Sequence, residues 1–160
     1  MRKILITDID GVLNCDTTTD TLETKFINYV GIDDDKIEKL KKIIDATDAY
    51  IVLSSTWRLH QEHRNHFLKK LGDYKNRYID RTPYLMRDIR ANEIHEWLQR
   101  QEDKDDISIA ILDDMGCECL DRFGDAFIHT VESIGLTDED VDKCIEQLNK
   151  NEKWIYEIKR

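Results

Sequence analysis

The stretch "ILITDIDGVLN", residues 4–14, is an apolar run that closes on two aspartates, Asp8 and Asp10, followed by Gly11. Short runs of β-branched and other apolar residues read as a buried strand. Residues two apart on a strand share a face, so this reading sets two carboxylates side by side. Such carboxylates repel one another and lose hydration beside the apolar run. A bound cation is the usual offset. Gly11 supplies the backbone freedom for a sharp turn out of the strand.

Working outward, three further apolar runs read as strands: "AYIVLSS" (49–55), "ISIAILDD" (107–114) and "DAFIHTV" (125–131). Helical spacing marks residues 33–47, 59–72, 87–101 and 137–150, the last with Thr137 as N-cap and Asp140 in the capping-box position. "TKFINYV" (24–30) reads as a short helix or a lid piece, and the tail "WIYEIK" (154–159) fits strand or helix equally. Strands that are apolar throughout and alternate with helices indicate a parallel sheet covered on both faces. The expected fold is therefore α/β, a three-layer Rossmann-like sheet forming one domain over residues 1–160.

With 160 residues, 40% hydrophobic and 36% charged, the chain has the composition of a globular protein with a heavily charged surface. No apolar run approaches the ~20 residues that span a bilayer, so no membrane association is expected. The basic tip at Arg2 and Lys3 does not begin a secretory signal, because Asp8 interrupts the apolar run. Cys15, Cys117, Cys119 and Cys144 show no disulfide framework, which suits a cytoplasmic protein. The Cys117/Cys119 pair reads as incidental thiols rather than a metal site. Net charge is −10, yet residues 57–100 hold 10 Lys/Arg against 6 Asp/Glu. That segment is where a polyanion would be welcome.

In a parallel sheet, sites form at the carboxyl ends of the strands. Those ends carry Asp8 and Asp10, then Ser54 and Ser55, then Asp113 and Asp114. Hard divalent cations take oxygen ligands, and Mg²⁺ binds a few carboxylates while keeping waters for a substrate phosphate. No His or Cys cluster has zinc spacing, so Mg²⁺ is the expected cofactor. Arg87 and Arg90 lie at the head of the third helix.

These residues carry a resemblance. "DIDGVLN", "IVLSS" and "ILDD" resemble the first, second and fourth motifs of the haloacid dehalogenase superfamily of phosphohydrolases. More narrowly, "SSTWR", "RANEIHEWL", "ILDD" and "GLT", in this order, resemble the small domains of that type associated with RNA-repair proteins. The resemblance implies that Asp8 attacks phosphorus to form an aspartyl-phosphate, and that Asp10 protonates the leaving oxygen and then activates water. It implies a Mg²⁺ site formed by Asp8, Asp10 (through its backbone carbonyl), Asp113 and Asp114. Ser54 or Ser55 would hold phosphoryl oxygens together with the third-motif basic residue, Arg90 or its competitor Arg87. Here an arginine stands where most relatives use lysine.

Relatives usually draw selectivity from a cap domain. Residues 14–32 are enough for a flap but not for a separate cap, and an open site suits a large substrate. Some of Arg58, Arg64, Lys69, Lys70, Lys75, Arg77, Arg81, Arg87 and Arg90 would then track a nucleic-acid backbone into the site. The leading expectation is a Mg²⁺-dependent phosphomonoesterase for nucleic-acid ends, such as 3′-phosphates of DNA or RNA. A phosphatase for free nucleotides or other small esters, and a catalytically silent phosphate-binding domain, are the alternatives. Asp-x-Asp-Gly alone is often an ordinary turn; paired acids closing a second apolar strand give it weight. Trp57 and Trp97 read as core residues, and His60, His63 and His66 as solvated helix surface. Oligomeric state is not legible.

Overall fold

The computed structural model describes residues 1–116 and 119–158. The chain runs β1 (Arg2–Thr7), β2 (Thr21–Glu23), β3 (Asn28–Val30), α1 (Asp34–Thr47), β4 (Tyr50–Leu53), α2 (Gln61–Leu71), β5 (Tyr78–Arg81), α3 (Arg90–Gln99), β6 (Ile107–Asp113), β7 (Phe127–His129) and α4 (Asp138–Asn149). Five strands form one sheet in the order β5-β4-β1-β6-β7, every neighbouring pair parallel. This is the α/β architecture expected. β5 was not foreseen: "YIDR" is a short edge strand, three of its four residues exposed, and lacks an apolar run.

The apolar strands bury both faces. Leu5, Ile51, Leu53, Ala110 and Leu112 pack on one side against Ile37, Leu40, Ile43 and Ile44 of α1, Phe67 and Leu71 of α2, and Val141, Cys144 and Leu148 of α4. Their neighbours Ile4, Ile6, Val52, Ile109 and Ile111 pack on the other side against Ala91, Ile94, Trp97 and Leu98 of α3 and the 3-10 segment Leu120–Ala126. The alternation explains why these strands are apolar almost throughout; Ser108 of β6 is a buried exception, its hydroxyl donating to the Leu148 carbonyl. Thr137 caps α4 with the reciprocal Asp140 contact that the sequence suggested. The tail forms no regular element over residues 151–158; Trp154 and Tyr156 lie against the second face.

Residues 21–30 form an antiparallel hairpin, β2–β3, rather than a helix. Its base is fixed by Asp20, which accepts from the Ile32 amide and pairs with His66 and Lys70 of α2. A side chain at Gly31 would overlap the Asp20 carboxylate. Among the described residues no separate cap domain is present, and no helix is long and apolar enough to cross a membrane.

Arg58 takes an unexpected place. It is 2% exposed, and its guanidinium donates to the carbonyls of Ser54, Ser55 and Thr82 and pairs with Glu93 of α3 at 3.0 Å. Glu93 also accepts from the Leu85 amide. The pair clamps the end of β4 to the start of α3. Glu93→Ala would leave a buried guanidinium uncompensated, with an expected loss of about 3–5 kcal/mol, whereas Thr137→Ala removes one cap for about 1 kcal/mol. Urea unfolding of the two variants checks this order; equal losses would contradict it.

Candidate active site

β1 lies between β4 and β6, and the chain leaves it first to one side and later to the other. In open α/β sheets the crevice at such a switch point is where ligands bind. The strand ladder continues one residue past the named ends: the Asp8 amide donates to Leu112, and the Ser54 amide to Thr7. Asp8, Ser54 and Asp113 thus lie side by side at the carboxyl edge.

Asp8 and Asp113 are both buried. Each carboxylate accepts one backbone N–H, from Ile9 and Met115 respectively. Their second oxygens share Nη1 of Arg90, at 3.1 Å and 2.7 Å. Burial raises the pKa of both groups above the ordinary carboxylate value, that of Asp8 to about 8; the Arg90 charge opposes the rise but does not cancel it. Asp114 joins them: oxygens of Asp8, Asp113 and Asp114 all lie within 4.8 Å of one another. This all-oxygen donor set of three clustered acids, two of them buried, fits a hard divalent cation.

Gly11 makes the approach of Asp114 possible. Its φ is +79°, and a Cβ there would overlap the Asp114 carboxylate. The turn also corrects the expectation for Asp10. β1 ends at Thr7, and the amides of Val12 and Leu13 fold back onto the Ile9 carbonyl. The two-residue strand rule therefore does not apply, and the Asp10 carboxylate is no part of the acidic cluster. It accepts instead from Asn14 Nδ2 at 2.8 Å and from the Trp57 indole N–H at 3.2 Å. Asn14 is itself fixed, accepting from the Gly11 amide and donating to the Gly31 carbonyl.

The two serines differ in role. Ser55 Oγ caps the 3-10 turn Thr56–Leu59 by accepting from the Trp57 amide. Ser54 is fully buried, and its Oγ has no hydrogen-bond partner among the described residues, an arrangement that is costly unless a ligand completes it. Arg90 stands over Asp8 and Asp113, while Arg87 is exposed on the loop before α3, with φ +63°.

The sequence reading of Arg58 as a substrate contact is corrected: its guanidinium is sealed inside by Glu93. Much of the basic segment is also engaged within the molecule. Arg64 and Arg81 donate to the Arg58 carbonyl, Lys70 pairs with Asp20 and Asp34, and Arg77 pairs with Asp48. Asn14 and Trp57 were missed as site residues. Trp57 is indeed buried in the core, as expected, but its polar edge meets Asp10. His63 is buried rather than solvated, and His66 pairs with Asp20. Cys117 lies outside the described residues.

A parallel sheet whose central strand ends in one buried acid, beside a second strand ending in two, defines a haloacid-dehalogenase-type domain. A family model described as the HAD domain in Swiss Army Knife RNA repair proteins matches residues 4–141, and the chain belongs to that family. No curated protein matches the chain at a significant level.

The repulsion within the cluster generates a prediction. Asp113→Asn removes one buried charge yet keeps an oxygen for the Met115 amide, so it is expected to raise the melting temperature of the metal-free protein. The same substitution is expected to abolish the rise in melting temperature that Mg²⁺ gives the wild-type chain. Calorimetry with and without Mg²⁺ checks both.

Proposed function

We propose that the protein is a Mg²⁺-dependent phosphomonoesterase that works through an aspartyl-phosphate and acts on phosphorylated nucleic-acid ends, 3′-phosphates among them. The observation that carries this reading is the Arg90 guanidinium held on Asp8 at the switch point of the sheet, beside the strand end that bears the buried Ser54 hydroxyl. Membership of a family found in RNA repair proteins supports the substrate class.

Asp8, Asp113 and Asp114 would hold Mg²⁺, which when bound neutralises the acidic cluster and draws charge from the phosphoryl oxygens. Asp8 is the nucleophile: its oxygen bonds to phosphorus as the ester P–O bond breaks, giving an aspartyl-phosphate. Asp10 gives its proton to the leaving oxygen, then takes one from the water that attacks the acyl-phosphate, releasing inorganic phosphate and restoring Asp8. The Asn14 and Trp57 N–H groups hold one Asp10 oxygen and leave the other to exchange the proton. The Ser54 hydroxyl and the Arg90 guanidinium bind phosphoryl oxygens as charge shifts in the transition state. Arg58 and Glu93 act indirectly, fixing the end of β4 and the start of α3 on which Ser54 and Arg90 stand.

The engagement of Arg64, Lys70, Arg77 and Arg81 within the molecule favours a second reading of the substrate, a free nucleotide rather than a polymer. Phosphate release from mononucleotides, 3′- and 5′-phosphorylated DNA and RNA oligomers and an aryl phosphate, with and without Mg²⁺, separates these readings. Wild-type turnover is expected to require Mg²⁺ and to vanish in Asp8→Asn, and Arg90→Ala is expected to lower kcat by about 10²–10³-fold. Absence of turnover on every ester by a folded, metal-binding protein would move the reading to a silent phosphate-binding domain.

A further inference from the structure

A cavity of about 430 Å³ opens beside Asp10, between the β2–β3 hairpin and the start of α2, a size within the usual range for small-molecule sites. Asp10 and Gly11 line one side, and Tyr29, Trp57, His60 and His63 line another. His63 is at the centre of the rings, with Tyr29 and Trp57 each 4.8 Å away at steep interplanar angles and His60 at 5.3 Å. The His63 side chain is buried, yet its Nδ1 has no hydrogen-bond partner among the described residues. Burial, reinforced by His60, holds its pKa below the ordinary histidine value, so the neutral ring can both donate and accept.

We propose that this cavity is a subsite for the nucleoside that carries the scissile phosphate, an inference that rests on the phosphomonoesterase reading. Asp10 protonates the leaving oxygen in that reading, so the leaving group must extend from Asp10, where the cavity begins. Tyr29 and His60 present exposed rings on which a flat base stacks. The polar wall is acidic, with Asp16 and Glu132 beside Asp10. Carboxylates accept from sugar hydroxyls and base amino groups, and they repel a second phosphate. The occupant is therefore neutral, ring-bearing and rich in donors, with its one phosphate confined to the Asp8 side. A second hollow shares Tyr29, His60 and His63 and reaches Phe26 at the hairpin tip, which is 87% exposed.

A free nucleotide and the last nucleotide of a strand present this same chemistry. The test uses the full chain as Asp8→Asn, which does not turn over, and follows the His63 and Phe26 ring signals by NMR during titration with adenosine. Saturable movement of His63 is expected, with affinity about tenfold weaker when Tyr29→Ala is added. In the otherwise wild-type chain, Tyr29→Ala is expected to reduce kcat/KM for adenosine 3′-phosphate relative to glycerol phosphate by a similar factor, mainly through KM. A 3′-phosphorylated oligoadenylate that also moves Phe26 identifies a strand end, and movement of His63 alone identifies a free nucleotide; either supports the subsite. No saturable shift with adenosine, or an equal loss on both esters, overturns it. Saturable shifts in a protein that hydrolyses no ester overturn the phosphatase reading and with it the leaving-group role, leaving a nucleoside-binding cavity alone.

Discussion

Two buried carboxylates, Asp8 and Asp113, end adjacent parallel strands, and the surrounding structure is arranged to offset their repulsion. Each takes one backbone N–H, and the two share the Arg90 guanidinium. Neither device neutralises the pair, as the raised pKa of both groups records. What remains is an appetite for a compact divalent cation, which Asp114 sharpens by closing on Gly11.

Placement of the other groups follows from constraints further out. Burial of Arg58 against Glu93 ties β4 to α3, so the residues bearing the Ser54 hydroxyl and the Arg90 guanidinium are held by one ion pair with backbone acceptors on every side. A pair of this kind is costly to break and costly to bury; here its position beside two site residues gives it a geometric role. On the opposite side, the turn at Gly11 carries Asp10 away from the acidic cluster and onto Asn14 and Trp57. Two aspartates two residues apart thereby acquire different surroundings, one buried among charges and one held by neutral donors, as the proposed division between nucleophile and acid–base requires.

Much of this was legible in the sequence because the central strands are buried on both faces. β1, β4 and β6 read as largely apolar runs, and their polar ends mark the crevice directly. β5 was hidden because an edge strand has little apolar face to show, and the hairpin because six of its seven outermost residues, 24–30, are exposed and lack a period. The misreading of Arg58 has a different origin. Its partner Glu93 is 35 residues away, so local charge counts a buried ion pair as surface. His63 was misplaced for a similar reason: the hairpin that covers it belongs to another part of the chain. Ser54 and Ser55 are indistinguishable as letters and are separated only by the 3-10 turn that takes one as its cap.

Central to this account is that the Asp8 carboxylate itself meets phosphorus, with the acidic cluster and Arg90 arranged around it. Beryllium fluoride mimics an acyl-phosphate by bonding to a nucleophilic carboxylate, and ¹⁹F NMR reports the bound species directly. The account predicts bound fluorine resonances in the wild-type protein that depend on Mg²⁺ and are absent from Asp8→Asn. Bound resonances that persist in Asp8→Asn would contradict it, as would a folded, Mg²⁺-loaded wild-type chain that yields none.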